Sequence, residues 1–185
     1  MESANDILIN KEYFPNFYKL YTHGYSFDNN YSPRNSCATG NNEFSTITSL
    51  YSIANTCTMN TYINNTYEES MFAKFRKAGY TVETFHDFTE GYYKRSIAHI
   101  NFGAEKYYGV QSLGIPFEVK YGEWASDEDL MNKYLTIIDE YDKEKPFFSY
   151  ITTVSSHMPY SASSAYGDIY LDLTKDTFIY SWIII

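Results

Sequence analysis

Apolar residues in the first quarter of the chain recur at the spacing of helices. A helix is predicted to begin at Pro15, because proline suits a first helical turn, and to end at Gly24. A second helix is predicted to begin near residue 39, after a polar loop. One face of this second helix is predicted to consist of Phe44, Ile47, Leu50 and Tyr51.

Two more helices are predicted further along the chain. Residues 68–78 place apolar side chains at helical spacing, and Gly79 follows them as glycine often follows a helix. Ser126 precedes three acidic residues, an arrangement that favours the positive end of a helix. Apolar residues continue at helical spacing to Tyr141, and Pro146 lies beyond the predicted end.

Three segments are predicted to be strands. Residues 25–27 and 80–85 alternate between apolar and polar side chains. Residues 147–154 are rich in aromatic and β-branched side chains, which indicates a buried strand. Residues 55–65 are polar and are predicted to form a loop. The alternation of helices and strands predicts an α/β fold with a largely parallel sheet flanked by helices.

Length and composition fit one globular domain. The chain has 185 residues, of which 44% are hydrophobic and 20% are charged, so it can bury a sizeable core. Its formal net charge of −9 argues against nucleic-acid binding. The chain begins with polar and acidic residues and has no apolar stretch of about 18 residues, so neither a signal nor a membrane helix is predicted. As it stands, the chain is therefore expected in the cytoplasm.

The polar loop of residues 32–44 is a candidate for chemistry. Thr39 is placed where this loop enters a helix, and the free backbone N–H groups of a helix start favour an anion. Its hydroxyl could attack a phosphoryl group if a metal or a base lowered its proton affinity. The alternative is that Thr39, Asn41 or Asn42 is only the N-cap of the helix.

The chain contains two cysteines, Cys37 and Cys57. Their number and spacing are not those of a disulfide framework or of a CxxC metal site. Cys37 lies two residues before Thr39, but the Cys-x-Pro-x-Arg pattern of a sulfatase is absent there. Cys37 is therefore not expected to act as a sulfatase nucleophile.

The run NYSPRNSCATGNNEF, residues 30–44, resembles the nucleophile segment of the lipoteichoic acid synthase family. Members of this family are sulfatase-like, metal-dependent phosphoglycerol transferases with the alkaline phosphatase fold. Three further segments match it: residues 1–3, 92–109 and 147–160. The resemblance implies one partial catalytic domain over residues 1–185, family-like to about residue 167 and divergent in residues 168–185.

The resemblance implies roles for five residues. Thr39 would be the nucleophile, and Glu2 and Thr39 would bind a divalent metal, commonly Mn²⁺. Arg95, His157 and Tyr93 would contact the substrate, although the family often has tryptophan at the position of Tyr93. From the residues alone, a solvent-exposed Glu2, a structural His157 and a surface Arg95 are the plainer alternatives.

Other residues near these positions have less specific roles. Arg34 could steady an anion beside Thr39 or lie on the surface. Trp124 fits the family and is expected to pack before the helix that follows it. The remaining histidines show no ligand spacing and are expected to be structural: His23, His86 and His99.

The family completes its metal site with an Asp-His pair beyond the position of His157. None of the four histidines of this chain follows an aspartate. Two oxygen ligands and water should hold a metal weakly, because retained water leaves little chelation. The chain alone is therefore expected to be inactive, or nearly so.

The function implied by the resemblance is that of part of a phosphoglycerol transferase of lipoteichoic acid synthesis. Such an enzyme takes glycerol phosphate from phosphatidylglycerol through a phospho-threonine and passes it to a glycerol phosphate polymer. Its catalytic domain is extracellular and attached to the cell membrane. Two alternatives stay open: a hydrolase of the sulfatase or phosphodiesterase type, and a non-catalytic remnant that binds glycerol phosphate.

Overall fold

A computed structural model describes residues 9–27, 29, 31, 36–117 and 124–157. The helices in these ranges are α1 (Pro15–His23), α2 (Ala38–Thr48), α3 (Thr58–Thr61), α4 (Met71–Lys77), α5 (Arg95–Asn101), α6 (Val110–Leu113) and α7 (Asp127–Asp139). A 3-10 turn, Tyr92–Lys94, precedes α5, and the strands are β1 (Thr81–His86), β2 (Lys106–Tyr108) and β3 (Phe147–Thr152). No helix within the described ranges is long and apolar enough to cross a membrane.

The three strands form a parallel sheet in the order β2-β1-β3. The central strand β1 pairs with β3 over its full length, from Thr81 opposite Phe147 to His86 opposite Thr152. The carboxyl ends of β1 and β3 therefore lie side by side. Open parallel sheets bind their ligands at this edge, so the residues that follow these two strands are in the expected place for a site.

Alternating side chains of β1 pack into two separate cores on opposite faces of the sheet. Val82 belongs to a core formed with helices α2, α4 and α5, and Phe85 to a core formed with α6 and α7. This arrangement follows from the period of two along a strand, which sends neighbouring side chains to opposite faces of the sheet. The buried apolar residues of the first core are Phe44, Ile47, Met59, Phe72, Val82, Ala98, Phe102 and Ala104.

Several predicted helix ends are confirmed. Helix α1 begins at Pro15 and is followed by Gly24. Helix α4 ends before Gly79, which has a φ of +89° that favours glycine. Helix α7 begins after Ser126, and the Oγ of Ser126 accepts a hydrogen bond of 3.2 Å from the N–H of Asp129.

Other local predictions are wrong. Residues 25–27 form no strand, and the segment 55–65 contains α3 rather than loop alone. Helix α2 stops at Thr48 because Ser49 turns to a φ of +60°, so Leu50 and Tyr51 lie outside it and are exposed.

Strand β3 is shorter and more exposed than predicted. It covers Phe147–Thr152, and most of its side chains are only partly buried. Within the described part of the chain it pairs with β1 alone, so it forms an edge of the sheet. Strand β2 was missed because three residues are too few for an alternating pattern to be recognised.

Candidate functional site

Thr39 is the second residue of α2, as predicted for a residue where a loop enters a helix. The N-cap of this helix is Cys37, so the alternative that Thr39, Asn41 or Asn42 is the cap is wrong. The Asn41 side chain instead binds the chain before α3. Its amide donates to the Thr56 carbonyl at 2.8 Å, and its oxygen accepts from the N–H of Thr58 at 2.9 Å.

Cys37 and Cys57 form a disulfide, which the sequence did not predict. Both are N-caps, of α2 and α3, and their Cα atoms lie 4.9 Å apart. The pair was missed because a separation of 20 residues carries no signal until α3 folds back onto α2. The disulfide and the Asn41 hydrogen bonds together fix the first turn of α2, which carries Thr39.

Arg95 is the first residue of α5 and is only 1% exposed, so the alternative of a surface cation is wrong. Its Nε donates to Oε2 of Glu43 at 2.8 Å, and its Nη1 lies 3.1 Å from Nε2 of His86. The guanidinium carbon stands 5.0 Å from the ring centre of Tyr93 and 5.8 Å from that of Tyr92. The predicted contact of Arg95 with a substrate phosphate stays a prediction.

Glu43 joins three elements around Arg95. It lies one turn beyond Thr39 on α2, and its Oε1 accepts a hydrogen bond of 3.2 Å from Thr152 at the end of β3. Nε2 of His99, on α5, is 3.7 Å from the same oxygen. A buried charge of this kind is tolerable only because the guanidinium and these polar groups surround it.

His86 and His99 are buried and neutral. Burial, and then the nearby Arg95 guanidinium, lower the pKa of each imidazole to about 3. Nδ1 of His86 lies 2.8 Å from the carbonyl of Thr152, which assigns the proton to Nδ1 and lets Nε2 accept from Arg95. Nδ1 of His99 lies 3.1 Å from Oγ1 of Thr84. The structural role expected for these two histidines fits this setting.

Tyr93 is held in the site by an unusual turn. Tyr93 and Lys94 have φ values of +53° and +52°, a backbone region that side chains disfavour. The turn places the Tyr93 ring against the first turn of α2. A Cβ added to Gly40 would lie 3.4 Å from this ring and 2.9 Å from Sγ of Cys37. Tyr93 therefore fills the space between Arg95 and the start of α2.

His157 follows the end of β3, and its N–H bonds to the Val154 carbonyl at 2.8 Å. Its ring meets that of Trp124 edge-on, with 4.7 Å between the centres. Trp124 also contacts Phe88, which in turn contacts Tyr92. The packing role expected for Trp124 is confirmed. These rings connect the His157 loop, residues 153–157, to the turn that carries Tyr93.

Two predicted residues, Glu2 and Arg34, lie outside the described residues. Of the two predicted metal ligands, Thr39 alone lies within the described residues. In the described ranges, no three histidine, cysteine, aspartate or glutamate side chains gather in a way that could hold a metal ion. Mn²⁺ binding by Glu2 and Thr39 stays a prediction.

Glu43 was not predicted to be a member of the site. Its position four residues after Thr39 places it on the same side of α2, and this spacing was the available signal. The spacing of Arg95 and His99 on α5 carries the same information. Neither pattern could show which helices pack together, so the partners became visible only in the fold.

The chain matches the sulfatase family over residues 6–176, and it belongs to this family. The parallel sheet flanked by helices is accordingly part of a sulfatase or alkaline phosphatase-like domain.

A solved relative has the same fold. The crystal structure of the lipoteichoic acid synthase LtaP from Listeria monocytogenes superposes with a TM-score of 0.62 at 27% sequence identity. The match covers 70% of this chain and 31% of the LtaP chain.

A sequence relative is described as a cyclic beta-1,2-glucan modification protein of Rhizobium meliloti (strain 1021). It is 31% identical over 102 residues, which are 55% of this chain and 15% of the relative. The chain thus spans less than one third of the length of either relative.

Proposed function

We propose that the chain carries the nucleophile half of a metal-dependent phosphoglycerol transferase, with Thr39 as the nucleophile. The donor would be phosphatidylglycerol and the product of the first step a glycerophosphorylated Thr39. The Thr39 oxygen forms the new bond to phosphorus, and the bond from phosphorus to the diacylglycerol oxygen breaks. In the second step, a glycerol hydroxyl of a growing polymer attacks the same phosphorus and releases Thr39.

The observation that carries the proposal is that the first turn of α2, which contains Thr39, lies beside Tyr93 and Arg95 in a chain of the sulfatase family. The first turn of α2 packs on Tyr93, and Tyr93 packs on Arg95. The likeness to LtaP supports a glycerol phosphate substrate rather than a sulfate ester.

Thr39, Arg95 and Glu43 would have different roles in this reaction. Helix α2 presents Thr39 beside its own N–H groups, which favour the negative charge of a phosphate. Arg95 adds positive charge close to this helix start, while Glu43 fixes its direction. A metal bound by Glu2 and Thr39 would lower the proton affinity of the Thr39 hydroxyl, so that the hydroxyl could lose its proton at neutral pH.

The disulfide bears on where the proposed reaction takes place. Disulfides persist in oxidising compartments and are rare in the cytoplasm. The Cys37–Cys57 bond therefore favours a location outside the cytoplasm, in place of the cytoplasmic location expected from the sequence. A lipid donor would be met at the outer surface of the membrane.

The proposal is tested with the chain extended by the Asp-His segment of a lipoteichoic acid synthase. The extended protein is incubated with labelled phosphatidylglycerol and Mn²⁺, and diacylglycerol release and the mass of the peptide containing Thr39 are measured. Diacylglycerol release and a glycerophosphate adduct on Thr39 are expected. Thr39→Ala should abolish both because alanine has no hydroxyl to form the bond to phosphorus.

Thr46→Ala is the matched control, because Thr46 is an exposed threonine on the same helix. It should leave the release unchanged. Release that survives Thr39→Ala would contradict the proposal. The labelled product separates the remaining alternatives: free glycerol phosphate indicates a hydrolase, and glycerol phosphate binding without an adduct indicates a binding remnant.

A further inference from the structure

Asp87, outside the cluster just described, is a completely buried acid. It follows directly on β1, at the carboxyl edge of the sheet, and has 0% exposure. Among the described residues, no donor forms a hydrogen bond to either of its carboxyl oxygens. A buried carboxyl group without a partner is costly, so the setting of Asp87 requires an explanation.

Asp127, the first residue of α7, lies on the same side of the sheet end as Asp87. Asp87 follows His86, which is opposite Thr152 on β3, and Asp127 binds the N–H of Val154, two residues after Thr152. Asp127 ties α7 to the chain beyond β3, because its Oδ1 accepts from the N–H of Val154 at 2.9 Å and of Ser155 at 2.8 Å. In return, Oγ of Ser155 accepts a hydrogen bond of 2.9 Å from the N–H of Asp127. Because two N–H donors occupy this oxygen, Asp127 acts as an acceptor at this position.

When one of two adjacent carboxyl groups is fully buried, as Asp87 is, ionisation of both is disfavoured, whereas one proton between them satisfies both. We propose that Asp87 and Asp127 form a carboxyl pair that shares one proton, with Asp87 as the donor. The pair joins the end of β1, the start of α7 and the end of β3. It thereby holds the His157 loop, residues 153–157, and releases this loop when the proton is lost.

Burial, and then the neighbouring Asp127, raise the pKa of Asp87 to about 9 from an ordinary 3.8. A raised pKa of an acid in the folded state means that folding retains a proton that the unfolded chain gives up. The contribution to stability is therefore complete below pH 3.8 and is lost as pH rises toward 9.

His86 and Tyr107 also lie near Asp87, but neither carries a positive charge that would stabilise an ionised Asp87. Nδ1 of His86 is 3.5 Å from Oδ1 of Asp87, but this imidazole is neutral and directs its proton at Thr152. Tyr107 of β2 is within electrostatic reach, and burial raises its pKa further above neutrality. The charges that act on Tyr107 come from Arg95, Glu43 and Glu90 as well as from Asp87.

The test compares the full chain with Asp87→Asn, whose amide can donate to Asp127 at every pH. Unfolding in urea is measured for both proteins between pH 6 and pH 8.5. The unfolding constant of the wild type, divided by that of the variant, should rise roughly a hundredfold over this range, because one proton gives up to about tenfold per pH unit. The hydrogen-exchange rate of residues 153–157, corrected for the intrinsic effect of pH, should increase with pH in the wild type but not in Asp87→Asn.

Asp129→Asn is the matched control, since Asp129 is an exposed acid in the same first turn of α7. Its pH dependence should parallel that of the wild type. Asp127→Asn replaces the other member of the pair and keeps an acceptor for Val154 and Ser155. It should reduce the pH dependence without removing it, because burial, the larger cause of the raised pKa of Asp87, remains. It serves as the second variant if Asp87→Asn fails to fold.

Parallel pH profiles for the wild type and both pair variants would overturn the proposal. Stabilisation of the wild type by added Ca²⁺ or Mn²⁺, lost in Asp87→Asn and without proton release on unfolding, would also overturn it. That result would mean that both carboxylates are ionised around a cation. Neither measurement depends on transferase activity, so the outcome is separate from that of the proposed function.

Discussion

Glu43 and Arg95 form an ion pair from which water is excluded. Removal of one member of such a pair leaves the other charge buried without compensation, which commonly costs more than the pair itself contributes. Nε of Arg95 and Oε2 of Glu43 are 2.8 Å apart, and both side chains are almost fully buried. The two residues should therefore act as a unit in stability.

Glu43→Gln and Arg95→Met should each lower the free energy of unfolding by about 3 kcal/mol. The double variant should lose clearly less than the sum of the two single losses, because it leaves no lone charge. Urea unfolding of the four proteins measures this coupling. The exposed pair of Lys74 and Glu69 is the control, and its coupling should stay below about 1 kcal/mol. Additive losses at Glu43 and Arg95 would show that the pair does not act as a unit.

The buried histidines predict sensitivity to acid. In the folded chain the pKa values of His86 and His99 are near 3, against an ordinary value of 6.5. Below pH 6.5 only the unfolded chain takes up these protons, so stability is full above pH 6.5 and falls toward pH 3. The loss should reach about 1.4 kcal/mol per pH unit for each histidine.

Urea unfolding at pH 7, 6 and 5 measures the slope of stability against pH. His99→Gln should reduce this slope by the contribution of one proton, since glutamine does not titrate. His23→Gln is the control, because His23 is exposed on α1 and its replacement should leave the slope unchanged. An equal slope in the wild type and in His99→Gln would contradict the assignment of His99 as a neutral buried group.

At the scale of the element, helix α2 depends on the absence of a side chain at Gly40. A Cβ there would approach Sγ of Cys37 to 2.9 Å and the Tyr93 ring to 3.4 Å. Alanine favours helices over glycine by about 1 kcal/mol, so propensity and packing act in opposite directions. The disulfide cannot move easily because Asn41 holds the chain on its other side.

Gly40→Ala should lower the free energy of unfolding by about 1–3 kcal/mol despite the better helix propensity, since the crowding outweighs it. Gly91→Ala is a matched control, because no atom of the described residues lies within 4 Å of its added Cβ. Urea unfolding compares the two variants. A Gly40→Ala protein as stable as the wild type would mean that the first turn of α2 can shift away from the disulfide.

The elements with strong local signals were predicted from the sequence. Pro15, Gly79 and Ser126 mark helix ends by chemistry that acts within a few residues. The elements that were missed or misread depend on distant partners. Strand β2 has three residues and exists because β1 pairs with it, and α3 is held by a disulfide and by Asn41. The exposure of β3 follows from its place at the edge of the described sheet.

The same distinction holds for the site. The resemblance predicted site roles for Thr39 and Arg95. The predicted helix start at Thr39 is confirmed. Glu43, the disulfide and the buried carboxyl pair were not predicted, because each joins residues that are far apart in the sequence. Pair spacing within a helix can suggest a shared face, but it cannot identify the opposite partner.

At the scale of the whole molecule, the disulfide links the starts of helices α2 and α3 covalently. A cross-link between residues 20 apart should stabilise the fold by about 3 kcal/mol, mainly by restricting the unfolded chain. The variant with both Cys37→Ser and Cys57→Ser should lose about this amount. Thermal unfolding with and without a reductant measures the loss. The reductant should destabilise the wild type and leave the double variant unchanged; an equal response of both would contradict the proposed role.

The Cys37–Cys57 bond also makes a covalent ring of the chain that contains all of α2. The part of the ring between α2 and α3 includes exposed Leu50, Tyr51 and Ile53, which a protease can reach. A single cut there opens the backbone but leaves both pieces attached through sulfur. Thr39 and the α5 helix with Arg95 would thus stay in one molecule after a cut that, in a reduced chain, would separate them.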